Sequence, residues 1–102
     1  MNAKRKGNRQ EHKSIALLEK QGYKCTRAAA SLGAFDIIAI GPETIQLVQV
    51  KTRDWPGTVE MKTIRDFPCP PNCLKTVHRW RDGCKEPDIR MVEASFDVYA
   101  LD

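Results

Sequence analysis

The chain has 102 residues, 41% hydrophobic and 29% charged, which is enough for one domain and too little for a second core. That balance excludes disorder as the default state, and no run approaches the ~18 apolar residues of a membrane span. Seventeen Lys plus Arg against thirteen Asp plus Glu give a net charge of +4, pointing to an anionic partner, while 7% aromatics argue against a stacking platform for single strands.

Residues 1–8 are basic and polar and read as a loose arm or the ragged start of a helix. No apolar stretch follows Lys4-Arg5-Lys6, so this is not a secretory signal, and a cytoplasmic location is expected, in a cell or in the cytoplasm of an infected host. Arg9 to Gln21 is an amphipathic helix with Ile15, Ala16, Leu17 and Leu18 as its apolar positions, stopped by Gly22. Tyr23 to Ala28 is a strand, followed by the small-residue loop Ala29-Ala30-Ser31-Leu32-Gly33. Ala34 to Ile40 and Thr44 to Thr52 form a hairpin around Gly41-Pro42-Glu43, the first strand carrying Asp36 in its middle. In the second, Ile45, Leu47 and Val50 are assigned to one environment and Gln46 and Gln49 to another.

Asp54-Trp55-Pro56-Gly57 breaks the pattern before a short helix from Thr58, its N-cap, to Phe67. Three prolines between Phe67 and Asn72 exclude regular structure. Leu74 to Arg81 favours a strand, Asp82-Gly83 a hairpin turn, Glu86 to Glu93 its return strand, and Phe96 to Leu101 a last short strand. The order implies an α/β domain around a mixed sheet. His12 and His78 are expected on the surface, and Trp55 and Trp80 in packing or on a dimer surface rather than as base stackers.

Four cysteines in a chain without an export signal raise metal binding before disulfides. Cys69, Cys73, His78 and Cys84 have the chemistry of a zinc site, although Cys-x3-Cys is not the usual knuckle spacing, and Cys25 reads as a small buried hydrophobe. A thermophilic host could instead keep a Cys69–Cys73 or Cys73–Cys84 disulfide.

Asp36 inside an apolar strand needs a reason, because an ionised carboxylate is costly to bury unpaired. Paired strands can bring it beside Gln49, and Lys51 shares the face of Gln49. Such a trio suits metal-assisted cleavage of a phosphodiester. Asp36, the Gln49 oxygen and the Val50 carbonyl could hold Mg2+, Glu11 could join directly or through water, and Lys51 could orient the attacking water. A plain Asp36–Lys51 salt bridge explains the same residues.

By spacing alone the salt bridge is the favoured account; a resemblance carried by five segments shifts the balance to the first. Arg5-Lys6-Gly7-x3-Glu11 opens the first helix, and Leu17-Leu18-Glu19-Lys20-Gln21-Gly22-Tyr23 closes it. Arg27-Ala28-Ala29-Ala30-Ser31, Phe35-Asp36-Ile37-Ile38-Ala39 and Leu47-Val48-Gln49-Val50-Lys51 follow. This stretch resembles the PD-(D/E)xK nuclease superfamily, and within it the archaeal-type Holliday junction resolvases. The resemblance implies a restriction-endonuclease-like mixed sheet flanked by helices, with residues 1–102 forming a single nuclease domain. It implies catalytic roles for Glu11, Ser31, Asp36, Gln49 and Lys51, Mg2+ or substituting Mn2+ as cofactor, four-way or other branched DNA as substrate, and a homodimer. Lys4, Arg5, Lys6, Arg9, Lys13, Arg27 and Arg53 are then phosphate contacts, with Arg79 and Arg81 as extensions.

Gln49 stands where that family has Glu or Asp. Gln keeps an oxygen donor and loses a charge, so metal affinity should fall. Virus-type replication-repair nucleases tolerate Gln there, and a weak or inactive DNA-binding module of the same fold is the competing reading.

Overall fold

The computed structural model describes the backbone of residues 3–28 and 33–93 and the side chains of residues 9–28 and 33–93. Helix α1 spans Ala3–Lys20, so the basic N-terminal run is helical from Ala3 rather than a loose arm before Arg9. Gln10, Ser14 and Leu18 are buried and spaced four apart, which places them on one stripe against the sheet. The stop is a Schellman turn: Tyr23 N–H donates to Leu18 O, Gly22 N–H donates to Glu19 O, and Gly22 takes φ +97°.

Five strands follow: β1 (Lys24–Arg27), β2 (Ile37–Ile40), β3 (Ile45–Thr52), β4 (Cys73–Trp80) and β5 (Asp88–Met91). They form one sheet in the order β1-β2-β3-β4-β5. All neighbours are antiparallel except β3 and β4, which run parallel. Parallel neighbours need a crossover, and α2 (Thr58–Asp66) supplies it.

Helices cover both faces of the sheet, so β3 buries both sets of side chains. Val48 and Val50 pack with Leu18, Ile15, Ile37 and Ala39 on the α1 side. Leu47 packs with Ile64, Val77, Phe35 and Val92 on the α2 side. This corrects the expected phase of β3: Val50 lies opposite Leu47, and Gln49 shares the face of Leu47. The same alternation sends Thr76, His78 and Trp80 of β4 towards α1, and Lys75, Val77 and Arg79 towards α2.

Other elements differ from the expectation. Asp36 precedes β2 instead of lying within a strand. Gly57, in extended conformation and without a side-chain cap bond, is the N-cap of α2, so Thr58 is already helical. The β4–β5 connection covers residues 81–87, longer than a two-residue turn at Asp82-Gly83. His78 is buried at 1% exposure because its ring faces α1. The strand expected from Phe96 to Leu101 lies outside the described residues.

Candidate active site

Asp36 sits just ahead of β2. Its backbone is held from both sides: Ala28 N–H donates to Asp36 O, and Asp36 N–H donates to Val48 O, each at 2.8 Å. Its side chain then reaches β3, where Oδ2 accepts the Val50 N–H at 2.8 Å. Ile45 N–H donates to Asn72 O and Arg53 N–H donates to Trp80 O, so odd-numbered β3 residues bond to β4. The Val50 amide and carbonyl therefore both face the Asp36 side.

Burial pushes the Asp36 carboxyl above its ordinary range. The Val50 N–H bond opposes that shift, the charge of Glu11 reinforces it, and Lys51 and Arg27 oppose it. Asp36 thus lies in the field of groups from α1, β1 and β3. Glu11 is held by Arg27, whose Nε and Nη2 donate to Glu11 Oε1 at 3.0 and 2.8 Å.

Gln49 is 6% exposed. Its Nε2 donates to Glu60 Oε2 at 3.2 Å, while its Oε1 is buried and has no hydrogen-bond partner. Lys51 Nζ donates to the other oxygen of Glu60, Oε1, at 3.4 Å. The ion pair of Lys51 is therefore with Glu60 rather than with Asp36. Partial burial works to raise the Glu60 carboxyl, but Lys51, the Gln49 amide and the Gly57 N–H outweigh it and hold the group below its ordinary range.

Sequence reasoning missed Glu60. The signal was topological: a helix that crosses over from a parallel strand starts at that strand's carboxyl end. The first turn of α2, which contains Glu60, must then lie near Gln49 and Lys51. Ser31 lies outside the described residues, as do the side chains of Lys4, Arg5 and Lys6 on α1. Arg9 and Arg53 are exposed, Arg27 is committed to Glu11, and Lys13 Nζ lies 5.4 Å from the centre of the Trp80 ring. Arg79 and Arg90 stack on Trp55 at 4.6 and 4.1 Å, and Arg79 and Arg81 both pair with Asp88.

Among the described residues, no three His, Cys, Asp or Glu side chains converge as a metal cluster. The expected zinc set is split by the sheet. Cys73 packs against the α2-side core, whereas His78 bonds to Ser14 of α1 and Cys84 lines a groove against α1. No disulfide joins any of the four cysteines. Burial, with Cys69 beside it, pushes the Cys73 thiol up to about 11, which disfavours the thiolate that zinc requires.

A cation at Asp36 would need mixed oxygen donors instead. The residues fit that requirement: a carboxylate, the orphaned Gln49 oxygen and the Val50 carbonyl suit a hard divalent ion that keeps several waters.

The family model of archaeal Holliday junction resolvases (Hjc) matches residues 2–65. The chain belongs to this family. As a resolvase-family nuclease it contains the matched segments of α1, β1, β2, β3 and most of α2, which carry Glu11, Asp36, Gln49, Lys51 and Glu60. Among solved structures, the chain is similar to Hjc of Archaeoglobus fulgidus, a Holliday junction resolvase from an archaeal hyperthermophile. Identity is 22% with a TM-score of 0.66, covering 86% of this chain and 72% of that one. That likeness extends the shared fold beyond α2. A search of curated proteins finds no match. Among the described residues, no helix of this resolvase is long and apolar enough to cross a membrane.

Proposed function

We propose that this chain is a Mg2+-dependent endodeoxyribonuclease that cuts four-way DNA junctions in the cytoplasm, as a homodimer making paired cuts, with Mn2+ able to substitute. The observation that supports this most is the Asp36–Val50 bond beside a buried, unpartnered Gln49 oxygen. In this reading a carboxylate, an amide oxygen and a backbone carbonyl serve one cation, with the Lys51 ammonium on the same face of β3 as Gln49.

In this reading Asp36, the Gln49 Oε1 and the Val50 carbonyl hold the ion, and Glu11 joins through water. A divalent cation there supplies Lewis-acid charge to the scissile phosphate and lowers the pKa of water. Lys51 orients the attacking water and offsets charge as the phosphorus centre crowds. Arg27 keeps Glu11 turned towards the site. Exposed Arg9, Lys13 and Arg53, with Lys4, Arg5 and Lys6, hold duplex arms by their phosphates. Recognition is then by shape and sensitive to salt. Ser31 contributes to catalysis in this reading, as the family resemblance implies.

The test is cleavage of a labelled four-way junction, with linear duplex and flap controls, in Mg2+, Mn2+ or EDTA. Symmetric, metal-dependent cuts in the junction are expected. A wild type that binds junctions and never cuts in either metal would replace this reading with a DNA-binding module, to which the uncharged Gln49 would then belong.

A further inference from the structure

Glu60 bonds to both members of the Gln49-x-Lys51 pair, with one oxygen for each. An ionised carboxylate only accepts hydrogen bonds, whereas a side-chain amide has a donor end and an acceptor end. Glu60 can therefore engage only the nitrogen of Gln49. This turns the amide so that Oε1 points away from α2, where it is buried without a partner. A buried, unsatisfied oxygen is uncommon in a folded protein and marks a place for a ligand or a proton donor. The other Glu60 oxygen restrains the Lys51 ammonium. Without Glu60 the amide could turn over and offer N–H groups where an oxygen donor is wanted.

We propose that Glu60 is a positioning residue that fixes the Gln49 amide with its oxygen towards a divalent cation and holds Lys51 beside it. The proposal deepens the nuclease reading and rests on it. Glu60 also carries, from the helix, the negative charge that position 49 lacks on the strand. A carboxylate at 49 and an amide at 60 would make the same hydrogen bond with donor and acceptor exchanged.

The experiment is Mn2+ titration of the full chain by calorimetry, for wild type, Glu60→Ala, the exchange Gln49→Glu/Glu60→Gln and Gln49→Glu/Glu60→Ala, with thermal unfolding of each. Glu60→Ala is expected to weaken Mn2+ binding about 10- to 100-fold, the usual effect of losing a group that orients a metal ligand, with only a small fall in unfolding temperature because Glu60 is half-exposed. The exchange variant should recover wild-type affinity or better and bind Mn2+ more tightly than Gln49→Glu/Glu60→Ala, which carries the same added carboxylate with no partner at 60, a difference that added charge alone would not produce. Wild-type affinity in Glu60→Ala, no recovery in the exchange variant, or no advantage of the exchange over Gln49→Glu/Glu60→Ala would overturn the proposal while Mn2+ binding and junction cleavage by wild type leave the nuclease reading intact. A wild type that neither binds Mn2+ nor cuts junctions would overturn both.

Discussion

Asp36 Oδ2 accepts the Val50 backbone N–H at 2.8 Å, joining two residues fourteen positions apart at the edge where β2 begins. The bond gives the half-buried carboxylate a donor on one oxygen. It also explains why an acid is tolerated between Phe35 and Ile37, which are 3% and 0% exposed. The side chain leaves the core sideways, along the sheet, rather than into either apolar face.

Glu11 and Asp36 share a field, so Glu11→Gln removes a negative charge that disfavours ionised Asp36. The Asp36 carboxyl should then titrate at lower pH than in wild type, measured by carboxyl carbon shifts in NMR. An unchanged or higher titration point would separate the two acids.

Arg53 is a non-glycine residue at φ 74°, with Asp54 N–H donating to Thr52 O across it. Such a backbone costs on the order of 1–2 kcal/mol for an L-residue and persists where a side chain is wanted. Arg53→Gly should raise the unfolding temperature while weakening junction binding and reducing the slope of log affinity against log salt by about one. Binding and slope both unchanged would remove Arg53 from the phosphate contacts.

The fold was legible where periodicity and breakers agree. Gly22 and Tyr23 announced the end of α1, and the prolines from Pro68 to Pro71 separated α2 from β4. The alternation of β3 was misread because both faces of that strand are buried, which removes the contrast between polar and apolar positions. Asp36, Gln49 and Lys51 could be grouped because they lie at or just before adjacent strands joined by a short turn. Glu60 could not, since its place depends on how α2 crosses over. His78 looked like a surface residue because nothing local reveals that Ser14, sixty-four positions earlier, meets its ring.

That buried contact has a measurable weight. Ser14 Oγ accepts the Trp80 Nε1–H at 2.8 Å and shares a hydrogen bond with His78 Nδ1 at 2.9 Å. Ser14→Ala leaves both ring groups buried and unpaired, at a cost of about 2–4 kcal/mol. Chemical denaturation should show that loss, and a change below about 0.5 kcal/mol would mean the ring groups find other partners.

Burial lowers the His78 imidazole to about 4, so it is neutral in the folded protein at pH 7. The unfolded chain takes up that proton near pH 6.5, while the folded chain resists until about pH 4. Stability from this group is present above pH 6.5 and declines as pH falls towards 4, by no more than about 3 kcal/mol. Denaturation at pH 7 and pH 4.5, with NMR titration of the ring, checks this. A His78 signal titrating near 6.5 would contradict it.

In the proposed reading Asp36 and Lys51 serve the chemistry and not the binding of DNA. Asp36→Asn and Lys51→Ala, assayed for junction binding and single-turnover cleavage in Mg2+, test it most directly. The expected result is near-wild-type binding with cleavage reduced on the order of 100-fold or more, the usual loss when a residue stabilising the transition state is removed. Cleavage at the wild-type rate by either folded variant would contradict the account.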